Sequence, residues 1–283
     1  MSISSSAVLV ELNISVWTAA KLDKSATQAV ISDNNAGSQS GAFRKNLLAG
    51  TSLRKDISDF AASCRMTHNK LTLPWQDRGG RILPTSLFMD YKQRMNVSNA
   101  HFNTLVDRLC DNYDALKQSA QSYMGTLYNE EDYPTLEEVR GKFGFNLVFS
   151  PLAEAGDFRL DVPMQDLAEM REQYESDFNN RLADAMRKPW EDLHKMLLSM
   201  SEKLSSSSDD EKKRWHDTFV TNAQGMCALL TNLNVTKDPK LEEARRALEQ
   251  TMLGANIEEI KDSPVVRADM KTKIDNILGK FDW

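Results

Sequence analysis

Val8, Val10, Leu12, Ile14 and Val16 occupy alternate positions, so an extended chain carries all five branched side chains on one face. The spacing predicts a strand near 8–16. The same two-residue period returns at Phe145, Leu147 and Phe149 and at Phe158, Leu160 and Val162. Turn-forming residues between Ser150 and Asp157 predict a hairpin of strands 145–149 and 158–162. A lone hairpin is marginal in water, so the N-terminal strand is expected to join it under a cover of helices.

Elsewhere the apolar residues recur at steps of three and four, the helical period. Leu53, Ile57, Phe60, Cys64 and His68 predict a helix near 51–70. Phe102, Leu105, Leu109, Tyr113, Leu116, Ala120, Tyr123 and Leu127, behind Ser98 as N-cap, predict another near 98–128. Residues 73–84 between them read as a long connection. Thr135 and Glu138 have capping-box spacing, and Gly141 and Gly144 follow as terminators of a short helix.

The longest pattern begins after Pro163. Met164, Leu167, Met170, Tyr174, Phe178, Leu182, Met186, Trp190, Leu193, Leu197, Met200 and Leu204 recur at a mean of roughly 3.64 residues, against about 3.6 per helical turn. One helix over 163–204 is predicted, with a kink near 185–189 because Pro189 has no N–H to give the ladder. The polar run Ser205–Ser208 breaks it. Asp209, Asp210 and Glu211 then suit the first turn of a helix striped by Trp215, Phe219, Ala223, Met226, Leu230 and Leu233. Asp238-Pro239 and Ser263-Pro264 each put an N-cap before a first-turn proline, starting two more helices, the first carrying Leu241, Ala244, Leu248, Met252 and Ile257 on one stripe. The fold class expected is mostly α with a small antiparallel β-sheet (α+β). It divides into an N-terminal α+β region over 1–162 and a helical region over 163–283, with the long helix followed by three more and a coiled-coil-like face.

Composition narrows the function classes. A 283-residue chain with 41% hydrophobic and 27% charged residues, 12 Gly and 8 Pro fits a globular protein rather than a disordered or collagen-like one. Cys64, Cys110 and Cys227 are far apart, with no Cys-x-x-Cys pair to hold zinc or exchange disulfides, and read as reduced core thiols. With no basic leader and no run of 18 apolar residues, neither a signal peptide nor a membrane span is expected, and the cytoplasm is the expected location.

Candidate chemistry is sparse. Glu191 and His194 have the Glu-x-x-His spacing of carboxylate-bridged metal bundles, but such a site needs a second copy, and Arg65, Ser98 and Lys213 precede the other histidines at that offset. Gly141-Lys-Phe-Gly144 lacks the glycine spacing and the Ser/Thr of a phosphate loop. No nucleophile elbow or activated cysteine is present, and the Glu211-Lys-Lys213 and Asp238-Pro-Lys240 fragments do not lie on paired strands, so no enzyme, metal or cofactor is expected. The net charge of −6 argues against a wholly cationic surface. Residues 43–81 nonetheless hold eight basic and three acidic residues, a local +5 that leaves −11 elsewhere. Within them, Trp75, Arg78 and Arg81 are candidates for contact with a partner or with nucleic acid, against the plainer reading in which Trp75 ties a loop to the core.

Four stretches carry a family resemblance: Val10-Glu-Leu-Asn-Ile-Ser-Val-Trp17-Thr-Ala-Ala-Lys-Leu-Asp23, Leu73-Pro-Trp75, Arg81-Ile-Leu-Pro84, and Phe145-Asn-Leu-Val-Phe-Ser-Pro-Leu-Ala-Glu-Ala-Gly-Asp157-Phe-Arg. Together they resemble a family of phage and prophage proteins without an assigned activity, over the chain up to about residue 205. The resemblance implies encoding near MoxR-type AAA+ ATPases and von Willebrand A proteins. The resulting expectation is a non-enzymatic helical protein of the bacterial host cytoplasm that self-associates through Tyr174, Phe178, Leu182 and Trp190. It would act as a scaffold or adaptor, with a AAA+ ATPase as candidate partner. The alternative is a nucleic-acid-binding protein of phage replication or recombination using the basic 43–81 segment.

Overall fold

The computed structural model describes residues 3–76, 79–153, 164–205 and 218–283. The alternating N-terminal segment forms strand β1, Ala7–Ser15, as its period requires. It is followed by β2 (Ala20–Leu22), α1 (Lys24–Asp33), β3 (Arg44–Asn46), α2 (Leu53–Leu71), β4 (Leu73–Pro74) and β5 (Arg81–Pro84). Then come α3 (Phe88–Asp111), α4 (Tyr113–Met124), α5 (Leu136–Gly141), β6 (Gly144–Ser150) and the 42-residue α6 (Met164–Ser205). The chain ends with α7 (Thr218–Leu233), α8 (Pro239–Met252), α9 (Ile257–Asp262) and α10 (Pro264–Lys280). The architecture is therefore mostly helical with a small sheet, as the pattern implies.

The larger sheet has the order β4-β5-β1-β6, so β6 joins the N-terminal strand as expected. β1 and β5 are antiparallel with Ala7 opposite Pro84 and Val10 opposite Arg81, and β4 and β5 pair Leu73 with Ile82. β2 and β3 form a separate antiparallel pair. The expected second strand at 158–162 lies outside the described residues, as do Trp215 and the acidic turn 209–211.

Several boundaries differ from the sequence reading. Within the stretch 73–84, expected as a long connection, Leu73–Pro74 and Arg81–Pro84 are paired antiparallel strands. The helix expected at 98–128 is two: α3 begins ten residues earlier, at Phe88, and Ser98 lies inside it. Its first turns hide their stripe, because the exposed Met89 and Val97 flank the buried Tyr91 and Met95 at two residues' distance and blur the period. α3 stops at Asp111 because the Asn112 side chain donates to the Arg108 carbonyl (2.7 Å) while its own carbonyl begins α4 by accepting from Leu116 N–H. Ile257 does not extend the α8 stripe: Gly254, at φ +73°, ends that helix, and Asn256 caps the separate α9, giving four helices after α6 among the described residues where three were expected. α1, β2 and β3 carried no apolar signal, α1 burying only Ile31.

The caps fit their sequences. Asp238 Oδ1 accepts from Lys240 N–H at 2.8 Å, Ser263 accepts from Val266 N–H, and Thr135 and Glu138 form the reciprocal capping box.

The chain does not divide at 162/163. One compact unit comprises Met1–Glu11, Asn69–Tyr91 and Phe149–Trp283, and the other Leu12–His68 and Lys92–Val148. The first has a core that includes Leu73, Ile82, Leu193, Leu197, Leu230, Leu241, Leu248 and Ile274. The second packs Trp17, Leu48, Ile57, Phe102, Leu109, Tyr113 and Val139. Among the described residues no helix is long and apolar enough to cross a membrane.

Candidate functional site

α6 dominates the first unit. At about 1.5 Å per residue it spans roughly 60 Å, and Pro189, the position of the expected kink, lies buried inside it. Its apolar ridge is covered unevenly. Ala185, Met186, Leu193, Leu197, Met200 and Leu204 are buried against β4, α7 and α10. Upstream the cover thins: Leu167, Tyr174, Phe178 and Leu182 are half-buried, the last two at the margin of the core, and Met170 is exposed.

The four residues expected to mediate self-association are thus used differently. Phe178 meets Trp75 edge to face, with centroids 5.0 Å apart, and Tyr174 donates its hydroxyl to the Ala153 carbonyl at 2.7 Å. Leu182 lies against the same core. Trp190 belongs to an aromatic group within the chain, 5.5 Å from Trp283 and 6.0 Å from Phe281, with its indole N–H donated to Asp238 Oδ2 at 3.2 Å. That placement corrects the expectation that the whole ridge needs a neighbouring copy: from Ala185 onward the chain covers its own ridge.

Trp75 is only 8% exposed, which favours the core-anchor reading over a base-stacking one. Arg78 lies outside the described residues. Arg81 is half-buried at the start of β5, donating from Nε to Thr72 Oγ1 at 2.6 Å and from Nη2 to the Thr72 carbonyl at 3.0 Å.

The residues of the wider basic segment are divided between the two units. Arg44, Lys45, Arg54, Lys55 and Arg65 belong to the second unit, Lys70 and Arg81 to the first. Lys45 is buried between Asp23 (3.2 Å) and Asp132, and it also donates to the Leu127 carbonyl. The hydrogen bond to Asp132 raises its pKa despite burial, with Asp23 adding to the effect. Burial pushes Asp132 up, but Lys45 and Lys21 together outweigh it and leave that carboxyl below its usual value. Lys55 pairs with Asp59, and Arg65 donates to the Ile14 carbonyl. The charge of Lys45 is therefore spent inside the fold, while Lys55 pairs at the surface. Sequence reasoning missed this triad, since nothing local links positions 23, 45 and 132.

It also missed the polar flank of α6. Three cavities adjoin in series along it. The first, about 610 Å³, is bounded by Pro74, Trp75, Gln76, Arg181 and Asp184. The second, about 560 Å³, shares Pro74 and Asp184 with it and adds Asn69, Arg81, Arg187, Lys188 and Glu191. The third, about 590 Å³, shares Arg187 and Glu191 and ends at Met186, Trp190, His194 and Trp283. From Arg181 to His194 this flank runs roughly 20 Å. His194 stacks on Trp283 with centroids 4.8 Å apart and planes 10° from parallel, while Glu191 pairs with Lys195. Among the described residues no group of three or more His, Cys, Asp or Glu could hold a metal ion. Searches against protein-family models, curated proteins and solved structures gave no match to this chain.

Proposed function

We propose that this protein is a non-enzymatic helical scaffold or adaptor that self-associates through the upstream half of α6. The uneven cover of that helix carries the reading. Downstream of Ala185 its apolar ridge is enclosed by α7 and α10, whereas Leu167, Met170 and Tyr174 continue the same ridge half-buried or exposed. Burying such a face against a second copy gains about 25 cal/mol per Å² of apolar surface removed from water. The contact therefore centres on Leu167, Met170 and Tyr174, with Phe178 and Leu182 at its margin. Trp190 is left to the chain's own core.

The resemblance to phage and prophage proteins suggests the setting, the bacterial host cytoplasm, and a AAA+ ATPase as the partner that the scaffold would serve. Three buried, unbridged cysteines suit a reducing compartment. Nucleic-acid binding by segment 43–81 has less support, because Lys45 is buried in an ion-paired triad and Trp75, the aromatic that would stack on a base, is packed in the core.

Light scattering at low micromolar concentration tests the reading. The full chain is expected to run as an oligomer, and Met170→Glu, which charges an exposed ridge position, to run as a monomer with unchanged circular dichroism. A monomeric wild type, or an oligomer indifferent to Met170→Glu, would refute it.

A further inference from the structure

From the cavity between the β4–β5 hairpin and α6, we infer a binding site for the phosphate group of a small phosphorylated ligand, held by Arg81, Arg187 and Lys188. Arg81 is the anchor. Its two bonds to Thr72 fix the plane of the guanidinium, while Nη1 has no acceptor and the cation no carboxylate partner among the described residues. Burial disfavours the charged form and lowers its pKa, so the cation is held partly desolvated, hydrogen-bonded to neutral oxygens of Thr72 and Asn69, while Asp184 and Glu191 line the same cavity without pairing to it. An anion brought to that edge would gain a strong charge-assisted bond.

The opposite wall supplies the remaining donors. Arg187 and Lys188 are on successive positions of α6 and border the same cavity of about 560 Å³, a size suited to a small molecule. Each is held by a single carboxylate, Arg187 by Asp184 at 3.2 Å and Lys188 by Asp192, and the Arg187–Asp184 pair is open to solvent, with side chains 73% and 65% exposed. Exposed pairs of that kind are worth little and exchange readily. A phosphate monoester carries close to two negative charges and three acceptor oxygens. It can therefore draw Arg187 and Lys188 from monovalent partners while accepting from Arg81. A planar carboxylate offers one charge and two oxygens. The neighbouring cavity beside Trp75 and Arg181 leaves room for the rest of the ligand, up to the size of a nucleotide.

The site is independent of self-association. Its test is calorimetric titration of the full chain with pyrophosphate at low salt. Wild type is expected to bind, Arg187→Gln and Lys188→Gln each to weaken binding by about tenfold, and Arg81→Gln to abolish it. Lys55→Gln, in the other unit, leaves it unchanged. Because Arg81 also fixes Thr72, the two α6 variants decide the matter if Arg81→Gln does not fold. Absence of binding by wild type, or equal binding by wild type and both α6 variants, overturns the proposal. So does Arg81-dependent binding of a single-stranded oligonucleotide without binding of pyrophosphate, which would make the cleft part of an extended nucleic-acid track.

Discussion

Truncating one leucine on each half of the α6 ridge separates the covered part from the open part. Leu193 is fully buried, in a core shared with α7 and α10, whereas Leu182 is only half-buried at its margin. Leu193→Ala loses the transfer energy of its removed atoms and leaves a cavity that a helix held on several sides cannot close, costing about 3–4 kcal/mol. Leu182→Ala removes a side chain that water already reaches, so the cost is about 1 kcal/mol. For a unit of this size, at about 2–4 °C per kcal/mol, the first change lowers the melting temperature by roughly 6–16 °C. Urea unfolding followed by tryptophan fluorescence suits the measurement, since Trp75, Trp190 and Trp283 lie in the unit that holds α6 and Trp17 in the other. Light scattering on the same samples is expected to show that Leu193→Ala keeps the wild-type subunit number at temperatures where it is folded. Equal costs for the two substitutions, or dissociation by Leu193→Ala without loss of stability, would refute the division of α6 into a covered and an open half.

Acid stability and helix capping give two further tests. Arg245 holds Glu242 down to about 2 from 4.5, through a two-pronged ion pair that Arg246 reinforces. A carboxyl depressed in the fold contributes stability that is complete above about 4.5 and lost as pH falls toward about 2. Arg245→Met is therefore expected to be less stable than wild type at pH 6, with the gap in urea midpoint narrowing steadily below pH 4.5. A gap independent of pH would assign the loss to packing alone. Asp238→Ala removes the cap of α8 and the acceptor for the Trp190 indole together, costing about 2 kcal/mol and shifting tryptophan emission. A loss under about 0.5 kcal/mol would mean that neither bond matters.

What the sequence made legible follows from how local each signal is. β1 and β6 were visible because their alternation is written in consecutive residues, and α6 because its period survives 42 residues. The prolines after Asp238 and Ser263 marked helix starts for the same reason. The division into units was not legible, because the chain passes between them inside β1, α2, α3 and β6, where no linker or change of composition marks the crossing. The β4–β5 hairpin was hidden by its brevity: two and four residues are too few to show a period. Arg81 stood out by charge in the sequence, but Arg187 and Lys188 looked like any polar helix flank until the hairpin was placed opposite them.

The same limit explains the two largest revisions. A charge sum along the chain treats 43–81 as one surface, yet the boundary at His68/Asn69 sends its bases to two units, and Lys45 is neutralised in the interior of one of them. Likewise, helical periodicity identifies which side of α6 is apolar and is silent on what lies against it. Because β4 (Leu73–Pro74), α7 (Thr218–Leu233) and α10 (Pro264–Lys280) come from segments far apart in sequence, only the folded chain reveals that they cover the ridge from Ala185 onward. The proposed self-association therefore draws on the first turns of the 42-residue helix, where Leu167 and Tyr174 are half-buried and Met170 is exposed. In the proposed self-association, a contact confined to those turns would exchange with concentration rather than form an obligate assembly, which is the behaviour the proposed adaptor role requires.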